Sequence, residues 1–389
     1  MSVENYLKAT RNYRHGHEEY LHLFQAILND YYQNLDIKIV VVNSDNACNE
    51  IVSSKDGNYL VWDERFWTYF SDHLYKLLIL DEKINNKLIL EQYIDFLIAD
   101  QIRFVIERIK YYDKESALIL SKYYVSRFKK ISEINFDTED FKTIILVSKL
   151  FVLFHECSHM KYKDKTTDEY LARLKSTAYT IKLCKEYFFE QMKDSDISEF
   201  YSPDELSQVI DSLDSNVNRK NMDELVLDSV AFSNCLSFYH HNVYDSSYEI
   251  LSNNLVLIVN SIRVIRSFSK MLKQFENGIK LMIKGEHYQT NAENMQIVDK
   301  IITRDYLNLY MEQTQTFLYF KKNYKEKIIS AFCDDIQRPY KYINEKYMYP
   351  YLKFVLNVRL PELLNDEKIR SFISEIEDKD KIIDYLLSY

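Results

Sequence analysis

The sequence predicts a mostly α-helical protein of the α+β class, with one long helix packed near a small antiparallel β-sheet. The 389 residues include only four glycines and four prolines, and a chain with so few helix breakers favours long helices. Residues 141–154 are largely apolar, with apolar positions at helical spacing. Strand-like patterns are confined to residues 36–63. We therefore expect helices to dominate and the sheet to be small.

Three short segments, 36–42, 47–52 and 59–62, are rich in β-branched and aromatic residues and predict strands. Asp56-Gly57 is a hairpin dipeptide between the second and third segments. We expect an antiparallel sheet from this arrangement. Asp63 follows as a good N-cap for a helix that begins at Glu64.

The sequence outside the predicted sheet is helical in pattern. We divide the whole chain into three regions. Residues 1–135 hold the first helices and the sheet, 136–270 hold the long helix and the motifs described below, and 271–389 form an additional C-terminal helical region. Asp137 or Thr138 is placed to cap the long helix. No internal repeat or low-complexity linker sharpens these boundaries.

Charge and cysteine content exclude some classes of protein. The net charge of −9 argues against a general nucleic-acid binder, which normally presents a basic face. The five cysteines are scattered and never form a C-x-x-C pair, which favours reduced thiols. The sequence begins without an apolar leader and holds no run of about 18 apolar residues. We expect a cytoplasmic protein that binds neither nucleic acid nor membrane.

The most informative segment is His155-Glu156-Cys157-Ser158-His159, an H-E-x-x-H motif at the end of the apolar helix. Residues four apart share one face of a helix, so both histidines can bind one metal ion. Glu156 is rotated by about 100° and lies beside that ion rather than on it. Two imidazoles and one oxygen ligand from elsewhere form a catalytic zinc site, whose fourth position is left for water.

A candidate for the third ligand follows downstream. Glu224 and Asp228 are four residues apart on one face of a predicted helix, within residues 221–232. Other side chains remain open as alternatives for this position: Asp168, Glu169, Asp223, His240 and His241.

The H-E-x-x-H motif followed by Glu224-Leu-Val-Leu-Asp228 resembles the gluzincin metallopeptidases, the thermolysin-like clan, whose second motif is E-x-x-x-D. The resemblance implies that His155, His159 and Glu224 bind zinc and that Glu156 is the general base. It implies that Asp228 accepts a hydrogen bond from a ligand imidazole. It also implies that an edge strand, either 47–52 or 59–62, pairs with an extended substrate.

We therefore expect a zinc-dependent metalloprotease that acts on protein or peptide substrates. A cytosolic protease must spare its own cell, which favours one or a few intracellular substrates. Phage-exclusion proteases of the Lit type are similar in being cytosolic H-E-x-x-H enzymes, which raises a role in phage defence or as a toxin. Two other hypotheses remain: an interaction or regulatory protein that keeps a zinc site without turnover, and a helical scaffold in which the motif is accidental.

Overall fold

The computed structural model describes residues 2–10, 13–44, 49–79, 139–179 and 219–242, with single residues between 262 and 272 and between 358 and 367. The chain divides into two compact units. The first comprises residues 1–137, 266–295 and 352–389, and the second comprises 138–265 and 296–351. The predicted C-terminal helical region, 271–389, lies almost entirely outside the described residues.

The first unit holds a small sheet and the helices that precede and follow it. Its elements are α1 (Val3–Thr10), β1 (Tyr13–His15), α2 (Leu21–Tyr31), a 3-10 turn (Gln33–Leu35), β2 (Ile37–Ser44), β3 (Glu50–Ser54), β4 (Gly57–Asp63) and α3 (Glu64–Ile79). All three predicted strands are present with slightly shifted ends, and the helix after Asp63 begins where the sequence predicted.

The sheet is mixed, so the prediction of an antiparallel sheet was wrong. Its strand order is β1-β2-β4-β3. β3 and β4 form the predicted antiparallel hairpin, but β4 runs parallel to β2, from Ile37 opposite Asn58 to Val42 opposite Asp63. The hairpin folds so that β4 reaches β2, which leaves β3 at an edge. Of the two strands considered for edge pairing, β3 therefore lies at an edge and β4 lies inside the sheet.

The core of this unit is aromatic. The fully buried Trp62 on β4 stacks on Trp67 at 4.9 Å between ring centroids and packs against Phe24 at 5.2 Å. Its indole Nε1 donates a hydrogen bond of 2.8 Å to Glu18 Oε2. Glu18 Oε1 also accepts from the backbone N–H of Tyr20 at 3.1 Å. These bonds compensate the buried carboxylate for its lost water.

A buried polar network joins the sheet to α3. The backbone N–H of Arg65 donates to Asp63 Oδ1 at 3.0 Å, which satisfies one of the open N–H groups at the start of the helix. Asp63 Oδ2 accepts a hydrogen bond from the Ser44 hydroxyl. The Arg65 guanidinium donates to the Tyr69 hydroxyl at 2.6 Å and to the Ser44 carbonyl at 3.3 Å. Asp63 thus caps α3 and anchors it to β2.

Three helices of the second unit are described over continuous stretches. They are α4 (Glu139–Lys161), α5 with described residues 168–179, and α6 (Arg219–Asn242). α4 and α6 pack against each other. Both helices carry buried apolar side chains, among them Val147, Leu150, Phe154, Val226, Val230 and Phe232. Their burial removes large side chains from water and fixes the two helices side by side.

None of the described helices combines the length and the apolar character needed to cross a membrane.

Replacing Trp62 by Phe should destabilise the first unit. The substitution leaves a gap beside Trp67 and deprives the buried Glu18 carboxylate of its 2.8 Å donor. We expect the free energy of unfolding to fall by about 2–4 kcal/mol, measured by urea denaturation followed by circular dichroism. Glu18→Gln, which keeps an oxygen acceptor for the indole, should cost less than Trp62→Phe. A loss below about 0.5 kcal/mol for Trp62→Phe would contradict this account of the core.

Candidate metal centre

The candidate centre lies where the C-terminal end of α4 passes the N-terminal half of α6. His155 and His159 are one turn apart on α4, and their ring centroids are 5.1 Å apart at an interplanar angle of 80°. Glu224 and Asp228 are one turn apart on α6. The two motifs therefore face each other, because α4 and α6 pack side by side.

Three side chains converge here. His155 Nε2 lies 3.6 Å from Glu224 Oε2, and His159 Nε2 lies 3.9 Å from Glu224 Oε1. One ligand atom from each residue lies within 4.8 Å of the others, and no other such group occurs among the residues that the structure describes. Donor atoms around a tetrahedral zinc ion are about 3.4 Å apart, given bonds of about 2.1 Å. The observed separations need only a small closure to match.

Asp228 lies behind the first histidine. Its Oδ1 is 2.9 Å from His155 Nδ1, and its side chain is only 1% exposed. The carboxylate thus lies beside Nδ1, while Nε2 of the same ring faces Glu224. A carboxylate behind an imidazole in this way is a common support for metal-binding histidines, since it fixes the tautomer and raises ligand basicity. The residues present thus fit a metal ion.

The two histidines differ in protonation when no metal is bound. Burial opposes the charged form of His155, but the neighbouring carboxylates of Asp228 and Glu224 outweigh burial and raise the pKa of His155 to about 10. Burial and the positive charge of His155 lower the pKa of His159 to about 4. At neutral pH, the His155 imidazole is therefore protonated on both nitrogens and positively charged, whereas the His159 imidazole is neutral. A metal ion that binds both must displace the proton from His155.

Glu156 is half-buried on α4 and does not belong to the converging group of three. Its negative charge contributes to the raised pKa of His155, which places it within electrostatic reach of the centre. Its predicted role as general base requires this position beside the ligands rather than among them.

Two of the three competing carboxylates are engaged elsewhere. Asp223 accepts a hydrogen bond from the Tyr170 hydroxyl and pairs with the ammonium of Lys165. Glu169 accepts from Lys161 at 2.8 Å and from the Tyr162 hydroxyl at 2.7 Å. The third carboxylate, on Asp168, is exposed.

The remaining competitors, His240 and His241, have side chains outside the described residues. Their helical positions are about 24 Å along α6 from Glu224, given a rise of about 1.5 Å per residue. The geometry therefore favours Glu224 over each alternative weighed from the sequence. Its assignment as a ligand stays a prediction.

Sequence reasoning missed the residues that hold these competing carboxylates. Tyr162 and Tyr170 are two of 33 tyrosines, and nothing in their local pattern marks them. Lys165 lies in a polar segment after α4 that carries no motif. Contacts such as Lys165 to Asp223 join residues 58 positions apart, so no short motif could have revealed them.

A comparison with protein-family models, with curated proteins and with solved structures finds no match. The resemblance to gluzincins therefore rests on the two motifs.

The two histidines of the metal-free protein should titrate far apart. We expect the His155 imidazole to stay protonated until the pH approaches about 10, and the His159 imidazole to stay neutral until the pH falls to about 4. NMR titration of the imidazole signals, assigned through His155→Gln and His159→Gln, measures both. In Asp228→Asn, which removes the charge behind His155, the His155 transition should move to lower pH. Titration of both rings near pH 6.5 in the unaltered protein would contradict this electrostatic account.

Proposed function

We propose that the protein is a zinc-dependent metallopeptidase. The observation that carries the proposal is the convergence of His155, His159 and Glu224 within 4.8 Å, with Asp228 at 2.9 Å behind the first histidine. Two imidazoles and one carboxylate suit zinc. Three protein ligands leave one position open, which is the arrangement of catalytic rather than structural zinc sites.

Each residue near the centre has a distinct task in peptide hydrolysis. Zinc bound here would supply a Lewis acid that acidifies water and polarises the scissile carbonyl. Glu156 accepts the proton of the attacking water and delivers it to the leaving amine. Asp228 holds the Nδ1 proton of His155, so that Nε2 stays available as a ligand and the ring cannot rotate.

We extend the proposal to selective cleavage of one or a few intracellular proteins. Cys157 and Cys235 are free and buried, which is consistent with a reducing compartment. In such a compartment a protease of broad specificity would damage its own cell.

Purified protein should contain about one zinc ion per chain. His155→Ala and Glu224→Ala should each lose it, because each removes one of three ligands, whereas Asp168→Ala and Glu169→Ala should retain it. Elemental analysis of protein prepared without chelators measures the content. If Glu224→Ala retains zinc and Asp168→Ala loses it, Asp168 rather than Glu224 is the third ligand. If the unaltered protein contains no zinc, the proposed zinc site is contradicted.

Glu156→Gln should keep zinc and lose peptide hydrolysis by a factor of about 10²–10⁴, the usual contribution of a general base. Cells expressing the unaltered protein should show new protein N-termini that are absent with Glu156→Gln, as measured by N-terminal proteomics. Glu169→Gln, another glutamate near the end of α4 but bonded to Lys161 and Tyr162, should behave as the unaltered protein.

One outcome of this experiment would favour the rival hypothesis. If the protein holds zinc but produces no new N-termini, and if Glu156→Gln leaves its biological effect unchanged, a zinc-site interaction protein without turnover is the better account.

A further inference from the structure

Asp223 precedes the third predicted ligand on α6 and faces a different neighbour. Successive residues of a helix are rotated by about 100°, so Asp223 and Glu224 point to different sides. Glu224 approaches the two histidines of α4. Both oxygens of Asp223 are engaged instead: Oδ1 by the Tyr170 hydroxyl and Oδ2 by the Lys165 ammonium.

The donor on α5 is itself firmly held. Tyr170 is 2% exposed and belongs to an apolar cluster that also comprises Tyr162, Val226, Leu227 and Val230. Its ring lies 5.8 Å from the ring of Tyr162. A buried aromatic ring packed on several sides has little freedom to move. The Tyr170 hydroxyl is therefore a fixed point from which Asp223 is held.

The second donor comes from the turn that follows α4. Lys165 lies six residues after His159, so the chain that carries the histidines also supplies a hold on α6. An ion pair at a half-exposed lysine contributes little stability by itself. Together, the Lys165 ammonium and the Tyr170 hydroxyl hold the Asp223 carboxylate by both of its oxygens.

We propose that Asp223 is a positioning residue: held by Tyr170 and Lys165, it fixes where the next residue of α6 presents its carboxylate to the histidine pair. The proposal rests on the metal site proposed above and adds what sets its geometry. Apolar packing between α4 and α6 tolerates small slides and rotations, whereas a metal site requires its ligands within about 0.5 Å of their places. The polar contacts of Asp223 supply directional restraint that the apolar faces lack.

The test measures zinc affinity by competition with a chelating indicator. Tyr170→Phe removes only the hydroxyl and keeps the ring in its cluster. We expect zinc affinity to fall about tenfold, as is usual when a support of a metal ligand is removed. Asp223→Ala should lower it at least as much. In the Asp223→Ala background, Tyr170→Phe should have no further effect, because the hydroxyl acts through that carboxylate.

Tyr162→Phe is the matched control. Tyr162 lies in the same apolar cluster, and its hydroxyl also donates a hydrogen bond to a carboxylate, that of Glu169. Glu169 is on α5 and, unlike Asp223, is not adjacent to Glu224 in the chain. Zinc affinity should be unchanged in Tyr162→Phe. If both Tyr→Phe variants lower the affinity equally, the effect belongs to the packing of the cluster and the proposal is overturned.

Co²⁺ gives a second measurement that a merely structural role would not change. Its visible absorption reports ligand geometry, so the spectrum of Co²⁺-loaded Tyr170→Phe should differ from that of the unaltered protein, and the spectrum of Tyr162→Phe should not. Normal affinity and spectrum in Tyr170→Phe would overturn the positioning role while leaving the metal site intact. Failure of the unaltered protein to bind either metal would overturn both proposals together.

Discussion

The contact between Asp228 and His155 is the interaction on which the candidate site depends. It joins the two helices that carry the motifs, with the carboxylate on α6 and the imidazole on α4. It sets a carboxylate beside Nδ1 of the ring, while Nε2 faces Glu224. Without it, α4 and α6 would still pack, but the His155 imidazole would lose the carboxylate beside its Nδ1.

Two of the carboxylates near this centre are bonded to groups other than the two histidines. Carboxylates are plentiful near the end of α4, and several could compete for a cation. Asp223 and Glu169 are each bonded to one lysine and one tyrosine, which leaves Glu224 as the carboxylate that approaches both histidines. The arrangement discriminates among chemically similar groups by giving the wrong ones other partners.

Local signals explain what could be predicted from the sequence. The Asp56-Gly57 turn indicated the β3–β4 hairpin, the apolar run before His155 indicated α4, and helical spacing placed the histidines on one face. The parallel pairing of β2 with β4 was missed because it joins segments about 20 residues apart, and no turn residue encodes which side of β2 the hairpin will reach. Glu224 could be chosen only with the help of the E-x-x-x-D pattern. Its separation from the rival carboxylates depends on Tyr170 and Lys165, whose contacts exist only in the folded chain.

The three converging side chains come from helices separated by a long stretch of chain, residues 162–218. A nascent chain that has been synthesised only through α4 therefore carries both histidines without Glu224 and Asp228. The three-ligand site cannot form until α6 has been synthesised. An ion held by all three side chains would also act as a cross-link that closes a loop of more than 60 residues, and such a link restricts the unfolded chain far more than the folded one. Metal supply would then govern how firmly α4 and α6 stay together as well as whether chemistry can occur.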